Sequence, residues 1–289
     1  ETKTKTVQGF KGSMEKFLNI DRRIIFAAVA LAVIGSLLVD FSLPVPATPP
    51  VQKIFDKIES LPPGAHFLLS FDYDPSSKEE LQPMALALLH HCFRRGVKVI
   101  GMTHNPGGTG LAEQALNSIA SIYQRKHKED YVFLGYKPGG ASLIINMGED
   151  LHTAFLKDFY GNDTTTLPAL QGVESLRDID YLVDLAAGVT IETWIAFGRE
   201  KYQFEMGAGC TAVIGPEMYP FLDSRQINGL MAGLKGAAEY EVLVEHKAQA
   251  FEGMRPQSVT HCLVILFVLF GNVAFFVSGS FRTQRRPRR

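Results

Sequence analysis

Two long apolar runs bracket this chain and constrain its fold more than any other feature. The first covers residues 24–43, interrupted only by Asp40, and the second covers residues 257–281 without a charge. A bilayer core of about 30 Å needs about 20 apolar helical residues to cross it. Each run therefore predicts a single transmembrane helix. The first run is longer than the apolar core of a typical signal peptide, so we expect an anchor that stays in place.

The basic residues of the two ends lie outside the apolar runs. They are Lys3, Lys5, Lys11, Lys16, Arg22 and Arg23 before the first run, and Arg282, Arg285, Arg286, Arg288 and Arg289 after the second. Lys and Arg mark cytoplasmic segments, so residues 1–23 and 282–289 are predicted to be cytoplasmic. We expect a two-pass protein of the cytoplasmic membrane, with its main domain on the far side. The basic ends are suited to anionic lipid headgroups.

The N-terminal segment has an apolar stripe of its own. Val7, Phe10, Met14, Phe17 and Leu18 recur at helical spacing. This pattern predicts a short amphipathic helix within residues 1–23 that lies on the inner membrane surface or against a partner subunit.

The segment between the runs is acidic. Residues 44–256 hold 18 Lys and Arg against 26 Asp and Glu, a formal charge of −8. Nucleic-acid binding needs a positive footprint, so this class of function is excluded. The three cysteines make no disulfide framework. Cys92 and Cys210 are predicted to be buried thiols, with one bridge between them left open.

Strand-like and helix-like segments alternate along the middle of the chain. A Pro-rich linker with a short helix occupies residues 44–64, and apolar strands are predicted at residues 65–72, 97–102, 131–136, 179–185 and 210–214. Helices are predicted at residues 83–95, 111–125 and 190–202, and a glycine-broken helical stretch from residue 217. Fully apolar strands separated by helices indicate parallel βαβ units. Residues 65–256 are thus predicted to form a three-layer Rossmann-like or flavodoxin-like α/β domain with about five strands.

Ligands of open parallel sheets bind beyond the carboxyl ends of the strands. Asp72 and Asp74 follow the first predicted strand, and Asp184 lies at the end of the fourth. Paired carboxylates can hold Mg²⁺ or act as nucleophile and acid/base. The Asp72–Asp74 pair resembles the motif of haloacid-dehalogenase-like phosphatases, but no well-placed lysine completes the set. A turn and helix cap around Asp74 is the simpler interpretation.

The second strand is followed by a glycine-rich loop. Candidate ligand-binding residues there are His104, Gly107, Gly108, Thr109 and Gly110, joined by Lys137, Gly139 and Gly140 after the third strand. Glycines at a helix N-terminus let backbone N–H groups approach an anion, and His104 is a candidate base. The spacing matches neither a P-loop nor a dinucleotide fingerprint, and a flexible strand-to-helix loop is the simpler interpretation. No Cys/His spacing typical of a metal site occurs, and no cofactor is indicated.

Three stretches resemble a group of uncharacterised bacterial two-span membrane proteins with an extracytoplasmic α/β domain. They cover residues 81–89, 131–140 and 234–240. The resemblance implies a bacterial inner-membrane protein with a periplasmic domain, and it implies no activity.

Three functions remain open at this point. The leading expectation is a non-catalytic accessory subunit of a larger membrane complex, with other integral membrane subunits as partners. Gly271, Ser278 and Gly279 are small residues that would let its second transmembrane helix pack on another helix. The alternatives are an extracytoplasmic module that binds a small anion or phosphate, and a metal-dependent hydrolase that uses Asp72 and Asp74.

Overall fold

The computed structural model describes residues 21–39 and 44–278, with side chains as far as residue 276. The predicted N-terminal amphipathic helix, Gly279 and the basic C-terminal tail lie outside the described residues, as does the Ser278 side chain. The chain divides into two units, one formed by residues 44–252 and the other by the flanking segments 1–43 and 253–289.

Within residues 44–252, the strands form one parallel sheet. The described strands are β1 (His66–Asp72), β2 (Lys98–Thr103), β3 (Tyr131–Tyr136), β4 (Tyr181–Ala186), β5 (Met206–Cys210) and β6 (Leu230–Ala232), in the order β3-β2-β1-β4-β5-β6. All five neighbouring pairs are parallel. This order is Rossmann-like rather than flavodoxin-like. The predicted parallel α/β class is confirmed, with six strands rather than about five.

Helices connect the strands and cover the sheet. After α1 (Arg22–Leu38) in the flanking unit, they are α2 (Pro49–Ser60), α3 (Lys78–Arg95), α4 (Thr109–Ile122), α5 (Ala141–Glu149), α6 (Leu151–Ala154), α7 (Thr190–Trp194), α8 (Glu200–Tyr202), α9 (Gly215–Asp223) and α10 (Gly233–Leu243). The last helix, α11 (Gln249–Ser278), begins at the end of the domain and belongs mostly to the flanking unit. A π-helical turn, Ile195–Arg199, joins α7 to α8, so residues 190–202 are helical as predicted. Cys92 and Cys210 are free, buried thiols, and no bridge joins them.

The last two strands differ from the prediction. The fifth strand was expected at residues 210–214 and instead ends at Cys210, while residues 230–232 form a strand where a helix was expected. Glycine explains both errors. A Cβ on Gly207 would lie 2.4 Å from the Tyr181 hydroxyl, and one on Gly229 would lie 2.7 Å from the Pro50 carbonyl oxygen. These glycines weaken the apolar strand pattern because neighbouring groups take the space of their side chains.

Two buried glutamates of α10 hold the segments that lead into and out of the domain. Glu239 accepts hydrogen bonds from the backbone N–H and the hydroxyl of Thr48, at 2.8 and 2.6 Å. Glu241 accepts from the backbone N–H groups of Ala248, Ala250 and Phe251, at 3.0, 3.0 and 2.8 Å. The three N–H groups that donate to Glu241 lie around the start of α11, where N–H groups have no partner within the helix. Both connections are thereby fixed to one helix of the domain.

One helix among the described residues is long and apolar enough to cross a membrane, Gln249–Phe276. Almost none of its apolar window is buried, unlike the core helix of a soluble domain. The other apolar run is helical over Arg22–Leu38, 17 residues, and residues 40–43 lie outside the described part. The expectation of two spans is therefore supported for the second run only. A Cβ on Gly271 would meet no atom within 4 Å, so the described residues place nothing against this position.

The glycine-rich loop after β2 generates a stability prediction. Gly108 packs against the end of β1, where an added Cβ would lie 2.6 Å from the carbonyl oxygens of both Phe71 and Tyr73. Gly108→Ala should therefore lower the free energy of unfolding by about 1–3 kcal/mol, because backbone oxygens cannot move aside cheaply. Gly110→Ala is the matched control. Its Cβ would meet nothing within 4 Å inside α4, so it should be neutral or stabilising by up to about 1 kcal/mol. Thermal unfolding of both variants checks this, and equal effects would contradict it.

Candidate functional site

The strand order reverses between β1 and β4, and the candidate site lies at this switch point. From β1 the chain proceeds to β2 and β3 on one side, while β5 and β6 extend the sheet beyond β4. Asp184 is in register with Ser70, and Ala186 with Asp72. Side chains alternate along a strand, so Ser70, Asp72 and Asp184 share one face of the sheet. Two of the three candidate catalytic acids are thus brought together at the edge where α/β proteins bind ligands.

The Asp72 carboxylate is buried and well supplied with hydrogen-bond donors. It accepts from the Ser70 hydroxyl at 2.7 Å, from the His104 backbone N–H at 2.5 Å and from His104 Nδ1 at 3.1 Å. Burial alone would raise its pKa, but the hydrogen bonds that it accepts from His104 and its interaction with Asp184 outweigh burial and hold the pKa below its usual value. Asp72 is therefore an ionised carboxylate that orients the His104 ring.

His104 presents its other ring nitrogen without a partner. The side chain is 7% exposed, and the Trp194 ring packs against it edge-on with ring centroids 5.4 Å apart. Because Asp72 only accepts, Nδ1 carries the proton, and in the neutral ring Nε2 is the unprotonated nitrogen. Nε2 has no hydrogen-bonding partner among the described residues. A base held by a carboxylate on its far side is a recurring arrangement for proton transfer.

Asp184 differs from Asp72 in its environment. The residue is fully buried, and neither carboxyl oxygen accepts a hydrogen bond of normal geometry from the described residues, although Asp72 and Thr190 interact with it. Burial, together with the neighbouring charge of Asp72, raises the pKa of Asp184 well above its ordinary value. At pH values between the lowered pKa of Asp72 and the raised pKa of Asp184, the pair holds one proton, and Asp184 carries it. Such a divergence is typical of acid–base pairs.

Further polar atoms near Asp184 or His104 also lack hydrogen-bonding partners among the described residues. They are Thr190 Oγ1, Glu192 Oε2 and Trp194 Nε1, all on α7. Helix α7 follows β4 directly, and it continues into the π-helical turn, a feature frequent at functional sites. Buried polar atoms without partners are rare in folded proteins, so their concentration near Asp184 and His104 points to a site.

Cys210 lies beside this group but is a poor nucleophile. Burial, assisted by the charges of Glu80, Glu192 and Asp184, raises the pKa of its thiol to about 12. The thiolate is the reactive form of cysteine, so Cys210 remains an unreactive thiol near neutral pH.

A cleft of about 380 Å³ opens beside His104. Its lining includes Asp72, Asp74, Ser76, His104, Asn105 and Thr190, together with small residues of the loop after β4. Asp74 lies at the rim, where its Oδ1 accepts from the Ser76 backbone N–H at 2.8 Å and from the Ser76 hydroxyl at 2.5 Å. It thus forms the turn that the simpler interpretation expected, while its charge still faces the cleft.

The backbone of the glycine-rich loop is occupied by its own hydrogen bonds. The Gly107 N–H donates to Asn105 Oδ1 at 2.9 Å, the Gly108 N–H donates to the Asn105 carbonyl at 3.0 Å, and the Thr109 N–H donates to the Pro106 carbonyl. These three N–H groups therefore form the hydrogen bonds of the turn itself.

Two other candidates line a second, larger cleft near β3. Thr109 and Lys137 border this space of about 720 Å³, whose lining is largely aromatic and aliphatic. Lys137 Nζ donates to the carbonyl oxygen of Ala154. Gly139 and Gly140 have φ values of 139° and 48° and form the turn that leads into α5. This cleft has no lining side-chain atom that is buried and unpartnered in the described chain, so we place the site at the smaller cleft.

The described residues contain no group of three or more His, Cys, Asp and Glu side chains that could hold a metal ion. Sequence reasoning identified Asp72, Asp184 and His104 but missed Ser70, Thr190, Glu192 and Trp194. The position of Thr190 just beyond the fourth strand could have identified it. Trp194 is fully buried and contacts His104.

No known protein-family model, curated protein or solved structure matches this chain.

The unpartnered Asp184 generates a prediction about pH. An acid whose pKa is higher in the folded state favours folding at low pH, and this contribution is lost as pH rises from the ordinary Asp pKa toward the raised one. Asp184→Asn removes that loss. The variant should gain stability relative to the natural chain by about 1.4 kcal/mol for each pH unit in that window.

Unfolding of the full-length chain in detergent can be followed by the fluorescence of Trp194, the single tryptophan. Asp223→Asn, at an exposed position of α9, is the control and should show no such trend. A stability difference for Asp184→Asn that stays constant from about pH 4.5 to about pH 7.5 would show that Asp184 is not a protonated buried acid.

Proposed function

We propose that this chain carries a membrane-anchored α/β domain that binds a small polar molecule in the cleft between β1 and β4 and exchanges a proton with it. The observation that carries the proposal is the Asp72–His104 pair, whose outer nitrogen, His104 Nε2, is buried and unpartnered among the described residues at the sheet's switch point. His104 is the base, Asp72 sets its tautomer, and Asp184 supplies the protonated acid.

The proposed site differs from the sequence-based alternatives in its pair of acids and in its class of ligand. The acids that approach each other are Asp72 and Asp184, whereas Asp74 lies at the rim in a turn of its own. The cleft beside His104 is lined by carboxylates, so an anion or phosphate is a poor fit. Proton transfer between a bound molecule and side chains needs no metal ligand set.

Ligand binding should depend on Asp72. A ligand at 100 times its dissociation constant stabilises the folded chain by about 2.7 kcal/mol, so a library of small hydroxy, amino and carboxylic compounds can be screened by thermal shift. For any compound that binds the cleft, Asp72→Asn should weaken binding at least about tenfold, because the His104 ring loses its orienting charge. Thr190→Val tests the same site with little change of shape.

Lys157→Gln, in the larger cleft near β3, is the matched control and should leave binding unchanged. A compound whose stabilising effect survives Asp72→Asn and Thr190→Val but is lost in Lys157→Gln would place ligand binding elsewhere. That outcome would contradict the proposed site.

We further propose that the chain crosses the membrane twice and serves as an accessory subunit of a larger membrane complex. The exposed apolar surface of Gln249–Phe276 supports membrane insertion. The basic residues outside both apolar runs support cytoplasmic ends and a domain on the opposite side. Contact with another helix is supported by the small residue Gly271, where an added Cβ would meet no described atom within 4 Å.

Two experiments test the two parts of this second proposal. In spheroplasts of a bacterial host, external protease should cut within residues 44–252 and leave an N-terminal tag intact. The same protein purified from its native membrane in mild detergent should co-purify with other subunits in fixed ratio. A protected domain would overturn the topology, and a monodisperse monomer would overturn the subunit role.

A further inference from the structure

The charge of the cleft beside His104 narrows the class of ligand, and this step rests on the proposed function. Two acidic residues, Asp72 and Asp74, line it, and no Lys or Arg appears among its described lining residues. The pKa of each of these carboxyls is lowered, Asp72 by His104 against the effect of burial and Asp74 by its hydrogen bonds to Ser76. The cleft thus carries negative charge across the neutral pH range, and the whole segment 44–256 has the same sign.

The hydrogen-bonding groups of the cleft point to the same class. His104 Nε2 belongs to a lining side chain that is 7% exposed, and it has no partner among the described residues. In the neutral ring, whose Nδ1 proton is directed to Asp72, this nitrogen is a hydrogen-bond acceptor. The ligand must therefore bring a donor to a site that is already negative.

An ammonium group meets both demands. It carries three N–H donors and no acceptor, and a charged donor makes stronger hydrogen bonds than a neutral one. A carboxylate or phosphate brings acceptors and a repelled charge, while a hydroxyl brings a donor without the charge. Electrostatic focusing in a cleft of one sign increases this discrimination.

We propose that the cleft beside His104 selects small organic amines, recognised through Asp74 at the rim and His104 within. The bound ammonium can pass one proton to Nε2, which leaves the neutral amine and an imidazolium ring held by Asp72, so recognition and proton transfer use the same nitrogen. The acid lining then has a role in choosing the substrate as well as in positioning His104.

Three four-carbon probes test this selectivity: 1,4-diaminobutane, 1,4-butanediol and succinate. They share chain length and differ in the end groups, which are ammonium, hydroxyl and carboxylate. Binding to the full-length chain in detergent can be read from Trp194, whose ring contacts His104 and which is the single tryptophan. We expect a saturable fluorescence change with the diamine at about tenfold lower concentration than with the diol, and none with succinate.

The variant Asp74→Asn should weaken diamine binding several-fold, because it removes a rim charge while Asn can keep the turn with Ser76. Asp223→Asn, an exposed acid on α9, is the matched control and should leave binding unchanged. Loss of diamine binding in both variants would indicate a general effect of net charge and overturn the proposal.

The outcomes separate the ligand class from the site. If the diol or succinate binds as well as the diamine, and Thr190→Val weakens that binding, the amine class is wrong while the proposed site stands. If no probe changes Trp194 fluorescence, the amine class is also wrong. In that case the proposed function is tested independently by the pH dependence of the stability of Asp184→Asn and by the thermal-shift ligand screen.

Discussion

The carboxylate of Asp72 joins the ends of β1 and β2, and the geometry of the site depends on this junction. It accepts from Ser70 on its own strand and from the backbone and ring of His104 beyond the next strand. The Thr103 hydroxyl adds a second link by donating to the Phe71 carbonyl at 2.7 Å. The ring of His104 is therefore held by covalent neighbours, by Asp72 and by Trp194 before any ligand arrives. A base that is already oriented avoids part of the entropic cost of positioning it during a reaction.

The parallel fold could be predicted from sequence where strands are apolar throughout. Residues 65–72 and 131–136 read as buried strands, and their positions agree with β1 (His66–Asp72) and β3 to within one residue. The prediction was wrong for β5 and β6 because Gly207 and Gly229 carry no side chain that reports burial. Gly207 leaves space for Tyr181 and Gly229 leaves space for α2, so the role of each glycine depends on a tertiary contact with a distant segment. A pattern along the chain contains no information on which distant group occupies a glycine's space.

The site could be predicted only as separate residues. Asp72, His104 and Asp184 were each identified because they follow strand ends, yet the sequence contains nothing that places β1 beside β4. That order brings Asp184 next to Asp72 and leaves Asp74 in its own turn. The same order places β2 beside β1 on the other side, so that His104 reaches Asp72. Divergent pKa values are properties of pairs, so they emerge only when the sheet is assembled.

Comparison among the buried acids of this domain indicates that Asp184 has a role other than stability. Glu241 accepts three backbone N–H groups at the start of α11, and Asp158 accepts from the Tyr160 and Asn162 backbones at 3.0 and 2.8 Å. Those carboxylates satisfy donors that would otherwise be buried without partners. Asp184 satisfies no such donor among the described residues, and its burial costs free energy as pH rises. Asp184 thus weakens the fold and lies beside the carboxylate that orients His104, which is consistent with the proposed proton transfer.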